Sequence, residues 1–230
     1  MLKDAKNAVM QSGLLLSLPT DLYSIPNPEP LMQSLKPLLD LKYLCAAERI
    51  WRHHIGTEPW SDGDATVAWI NPMTHRLQSL APRNRPKDVV ALPTEPVEML
   101  CEVARLATSH YTYAIRALPD TRPAPITRQS ERLTQILAKP CELWSNVPLL
   151  RLWGMAILTL ATLPEGVTPW LCAEIRREAE AMNIYDSSRL MYVLGRVAWE
   201  KEFSRKVLDT VWEVPRQVVE IDQGESTYIW

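Results

Sequence analysis

His110 and Tyr113 stand three residues apart in the stretch EMLCEVARLATSHYTYAIR, residues 98–116, and Arg151 is the only charge in LLRLWGMAILTLATL, residues 149–163. These are the side chains whose types could do chemistry in an apolar setting. Imidazole, phenol and guanidinium can each donate a hydrogen bond to a carbonyl, and imidazole can also move a proton near neutral pH. Held around a shaped apolar cavity, such donors would suit a cofactor-free cyclisation or isomerisation. There, fixing one reactive conformer and polarising one carbonyl supply most of the rate. Each also has a plainer role: His110 as a core histidine with its hydrogen bonds satisfied, and Arg151 as half of a structural salt bridge.

The walls of such a cavity can be named from spacing. Arg151, Met155, Thr159 and Thr162 fall on one face of a helix through 149–163, its only face with any polarity. Nine tryptophans against one phenylalanine is an unusual aromatic composition. Trp153, Trp199 and Trp212 lie at core spacing, where packing is the ordinary use of such a stripe, while Trp153, Tyr192 and Trp199 could line a site for a polycyclic or cationic ligand. The candidate binding residues are therefore Trp153, Met155, Thr159, Tyr192 and Trp199, and the candidate donors His110, Tyr113 and Arg151.

Other chemistries find no footing. Cys45, Cys101, Cys141 and Cys172 are scattered with no CxxC pair, so neither a zinc site nor a redox motif is signalled, and buried free thiols are expected. His53-His54 and Asp62-x-Asp64 lack partners at metal-ligand spacing. No glycine-rich phosphate loop, GxSxG or HExxH is present, and no metal or cofactor is expected. A net charge of −2 gives no general attraction to nucleic acid. Arg83, Arg85 and Lys87 make only a small solvated basic loop. The run 149–163 is too short for a membrane span, the N-terminus does not read as a signal peptide, and an intracellular protein is expected.

The elements that must position these residues are helical. Among 230 residues only 7 are glycine while 19 are proline, which favours helices punctuated by proline-rich connections. Residues 149–163 are apolar all round, so they should form the buried central helix of a single compact all-α domain. In 97–118 a narrow polar stripe (Glu98, Glu102, Arg105, Ser109, Thr112, Arg116) predicts a mostly buried helix with one wet or salt-bridged edge. A helix of about 30–55, bent or split at Pro37, should precede one that opens at 62–64 and breaks near Pro72. Residues 81–96 read as a mobile loop. A helix ending near Lys139, a short element holding Trp144, and two closing helices complete the core. The first of these has Thr168 as N-cap, Pro169 at its first position, and Glu174, Arg176, Arg177, Glu178 and Glu180 toward solvent. The second is capped by Asp186 or Ser187. The organisation is then one domain over 1–230: an N-terminal helix and linker (1–28), a helical core (29–217) and an extended tail (218–230).

Three stretches in order carry a family resemblance: HRLQSLAP (75–82), EMLCEVARLATSHYTYAIR (98–116), and LLRLWGMAILTLATLPEG (149–166) with the helices ending in VAWEKEFSRKVLDTVWEV (197–214). Together they resemble the C-terminal helical region of fungal zinc-cluster transcription factors. That region's DNA-binding module needs six closely spaced cysteines, which this sequence lacks, so the chain is expected not to bind DNA by itself. The resemblance implies a stand-alone regulatory protein whose partner is a small apolar molecule, another regulatory protein, or both. The alternative is the cofactor-free cyclase outlined above, of Diels–Alder type and acting on a terpenoid or polyketide.

Overall fold

The computed structural model describes residues 25–55, 63–80, 91–117, 127–162 and 169–199, together with 203, 207 and 211. These form an all-α fold of seven helices and one 3-10 turn: α1 (Glu29–Ile55), α2 (Gly63–Ser79), α3 (Pro96–Arg116), α4 (Thr127–Ala138), the 3-10 helix Glu142–Asn146, α5 (Pro148–Thr162), α6 (Pro169–Ala181) and α7 (Ser187–Val197). The expected N-terminal helix, residues 81–90 of the proline-rich loop, the Thr168 cap and the 218–230 tail lie outside the described residues, as do the side chains of His53 and His54.

α5 is the buried central helix that its composition predicts, with every residue from Leu149 to Thr159 buried except Arg151. It packs against α3, α4, α6 and α7. α3 shares the axis, because it meets α1, α2, α4 and α5. The two helices approach closely at Gly154, where an added Cβ would lie 3.2 Å from Val103 Cγ1 on α3 and 3.8 Å from Leu137 Cδ2 on α4. An added methyl would need the Val103 side chain to give by a few tenths of an ångström, while Leu137 would stand at ordinary van der Waals distance.

Proline does not divide the first two helices. α1 runs unbroken through Pro37, and α2 continues through Pro72, where the sequence predicts a break. Each proline removes one backbone donor, from the carbonyls of Gln33 and Ala68 respectively. Both residues are exposed, so water can take those acceptors. The buried residues Leu35, Leu38 and Leu41 on one helix, and Ile70, Met73 and Leu77 on the other, hold each helix to the core on both sides of its proline.

The turn between α6 and α7 follows local rules closely. Asn183 adopts φ 57°, its N–H donates to the Glu180 carbonyl at 2.9 Å, and the Ile184 N–H donates to the Ala179 carbonyl at 2.8 Å. This is a Schellman ending, with buried Ile184 as its apolar contact. Asp186 then caps α7, its Oδ1 accepting from the Arg189 N–H at 2.8 Å.

Candidate functional site

The named donors and walls fall in different parts of the core. Arg151 is a structural staple. Its Nη1 donates to Glu178 Oε2 at 2.8 Å and its Nη2 to Glu174 Oε2 at 3.4 Å, tying α5 to α6. Its guanidinium carbon lies 5.6 Å from the Trp144 ring centroid, which adds the 3-10 helix to the same clasp. Arg151 Nε is buried with no partner among the described residues.

Glu174, Arg176 and Glu178 are accordingly half-buried rather than solvent-facing as α6's pattern suggests. Arg151 takes the two carboxylates, and Arg176 donates to the Val211 carbonyl. The rest of α5's polar face is satisfied locally: the Thr159 hydroxyl donates to the Met155 carbonyl and that of Thr162 to the Leu158 carbonyl, both at 3.0 Å.

Trp153, Met155 and Thr159 are 0% exposed, and Trp199 is 4% exposed. Trp153 Nε1 donates to the Ala198 carbonyl at 2.7 Å. Its ring meets Tyr111 at 6.0 Å, and Phe203 stands edge-on to both Tyr111 and Trp199. These indoles belong to a packed aromatic cluster. Tyr192, by contrast, is 69% exposed on the outside of α7 and shares no wall with them.

His110 is buried on α3, with Nε2 3.5 Å from Ser130 Oγ on α4 and Nδ1 unpartnered among the described residues. Burial pushes its pKa down to about 4, with only a partial offset from the backbone at Gln129, so the ring is neutral at physiological pH. Tyr113, one turn along, is half-buried. Of the cysteines, Cys45 and Cys172 are buried as expected, while Cys101 and Cys141 are only half-buried.

A concave site forms elsewhere, over the polar stripe of α3. A groove of about 510 Å³ opens between the start of α1, the ends of α2 and of the 91–95 segment, α3 and α4. On its floor lies Glu102, held by both oxygens. Arg105 Nε donates to Oε2 at 2.8 Å, Arg105 Nη2 to Oε1 at 3.0 Å, and Arg132 Nε, from α4, to Oε1 at 2.7 Å. Burial alone would raise the Glu102 carboxyl, but the bonds and charges of Arg105 and then Arg132 outweigh it and hold it below the usual carboxylate range. Arg132 also reaches the Ala91 carbonyl at 3.3 Å, which pins the segment leading into α3.

Cys101 sits on the groove wall one turn before Arg105. Burial pushes its thiol pKa up; a hydrogen bond with the Ser34 side chain opposes this, and the Glu98 charge adds to it. The thiol is therefore a protonated, polarisable wall rather than a nucleophile. Farther along, the stripe becomes a seam with α4: Ser109 Oγ donates to Gln129 Oε1 at 3.1 Å.

Sequence reasoning identified the α3 stripe as a salt-bridged edge but not as a site, because Arg132 and Ser34 reach it from helices 30 or more residues away. Four-residue spacing of Glu98 and Glu102, with Arg105 following, was the available signal. No cluster of three potential metal ligands occurs among the described residues, and no described helix is long and apolar enough to cross a membrane. No protein-family model matches this chain, and neither the curated proteins nor the solved structures include a significant match.

Proposed function

We propose that the chain is a regulatory helical domain, of the kind its three ordered motifs resemble, and that it receives a small molecule in the groove over α3. The observation that carries this reading is the groove itself. It is a concave site with convergent polar groups, and its floor joins α3, α4 and the 91–95 segment through one carboxylate. An occupant there touches the start of α1 as well, so binding would bias the relative positions of elements that all pack on α3. A regulator needs that kind of coupling, and it needs no catalytic group.

The cyclase alternative has less behind it. A pericyclase requires donors aimed into a cavity, whereas the proposed walls Trp153, Met155 and Thr159 are enclosed, Tyr192 faces outward, and Arg151 is paired.

The test is recovery of partners from cells with the tagged full chain, combined with its distribution between nucleus and cytosol. The regulatory reading predicts nuclear chain and co-purification of a component of the transcription machinery or of a DNA-binding regulator. A purely cytosolic chain that recovers none of these would contradict it.

A further inference from the structure

Seven of the twelve described residues lining the groove over α3 are polar or charged, and three of these hold hydrogen-bonding groups that the protein leaves open. Arg105 commits Nε and Nη2 to Glu102. Its Nη1 has no acceptor among the described residues, yet it is not enclosed as His110 Nδ1 and Arg151 Nε are. That nitrogen therefore opens to solvent, although the side chain is only 14% exposed. Gln33 gives Nε2 to Glu29 Oε1 at 3.1 Å. A carboxylate only accepts, which fixes the amide's orientation and leaves its oxygen as an open acceptor. Asn27 makes no side-chain hydrogen bond among the described residues, so its amide offers a donor and an acceptor together.

These open groups restrict the occupant. A carboxylate only accepts and an ammonium only donates, so either leaves part of the set unmet, whereas a hydroxyl does both from one oxygen. Charge points the same way. The lining's formal charges balance, Glu98 and Glu102 against Arg105 and Arg132, so a charged occupant would surrender its hydration with no net opposite charge in return. Pro30 and Pro93 add apolar surface for the C–H faces of a polyol, and a volume of about 510 Å³ is within the range of small-molecule sites.

We propose that the groove binds an uncharged, hydroxyl-rich small molecule of sugar size. One of its oxygens accepts from Arg105 Nη1 on α3, and others meet Gln33 on α1 and Asn27 in the turn before it. This rests on the groove being the regulatory site and adds the ligand class.

Cys101 supplies a reporter on the groove wall, and half-buried Cys141 an internal control outside it. The methyl glycosides of glucose, glucuronic acid and 6-amino-6-deoxyglucose share one ring and carry no charge, a negative charge and a positive charge. Cyclohexylmethanol keeps the ring size without the ring hydroxyls. Alkylation of the full chain with iodoacetamide, an uncharged reagent, is mapped by peptide mass spectrometry. The glucoside should slow modification of Cys101 saturably and leave Cys141 unchanged. Both charged glycosides should need about tenfold higher concentrations, the loss expected for a charge without compensation. Cyclohexylmethanol should give no protection at matched concentration.

Asn27→Gly keeps the turn, because glycine accepts the φ of 50° that Asn27 adopts, and removes only the amide. It should weaken the glucoside about tenfold, as should Gln33→Leu. Equal protection by cyclohexylmethanol would overturn the hydroxyl requirement, and stronger protection by either charged glycoside would overturn the uncharged class. Full protection retained in both variants would overturn the placement. Absence of glucoside protection in the wild-type chain would overturn the ligand class. None of these failures touches the partner-recovery and localisation result, which tests the regulatory reading without reference to any ligand.

Discussion

His110 illustrates how a residue of catalytic type can have its chemistry removed by position. Its ring is enclosed between α3 and α4, and burial holds its pKa near 4. Folding therefore excludes a proton that the unfolded chain binds below about pH 6.5. The sign follows directly: the unfolded state binds more protons between those two values, so stability rises with pH across that interval and is lost as pH falls through it. From pH 7 to pH 5 this one ring should remove about 2 kcal/mol. Urea denaturation at both pH values checks it, and His110→Gln should flatten the difference. An unchanged pH difference in that variant would show that the ring does not govern acid sensitivity. Arg151 carries the same lesson: a guanidinium in an apolar run could have donated to a ligand, but it takes the plainer role of a structural salt bridge, clasping α5, α6 and the Trp144 ring together.

At the scale of elements, local rules were reliable wherever one helix decides the outcome. The all-round apolarity of 149–163 marked the central helix to within one residue of its observed ends, and Asp186 caps α7 as its position suggests. Asp186→Ala should cost about 1 kcal/mol, measured by the same denaturation, because the Arg189 N–H loses its acceptor at the start of the helix. An effect near zero would mean that the buried face of Leu190, Leu194 and Val197 orders the first turn unaided. Legibility ended where neighbours override the chain's own preferences. Pro72 should have closed α2, but one exposed orphan carbonyl costs less than releasing Met73 and Leu77 from the core. The Glu102 site was half visible: Glu98, Glu102 and Arg105 announce a polar edge on α3, while Arg132 and Ser34 arrive through tertiary packing that no periodicity encodes.

Across the whole molecule, the described helices divide between two tasks. Around α5, the aromatic cluster of Tyr111, Trp153, Trp199 and Phe203 and the Arg151 clasp make a dry, interlocked interior. Around α3, the polar stripe is shared among helices and opens into a groove whose floor is one carboxylate held by two guanidiniums. The first arrangement resists change. The second draws α3, α4 and the 91–95 segment together on one carboxylate, so an occupant of the groove would touch all of them at once. The groove as the regulatory site is tested most directly by plugging it from α1, where Ser34 lines its wall and only partly buries its own side chain. Tether the chain to an unrelated DNA-binding domain in a reporter strain, and compare Ser34→Trp with wild type at matched abundance and matched melting temperature. The account predicts that the indole shifts reporter output while the fold persists; wild-type output from a folded Ser34→Trp chain would contradict it.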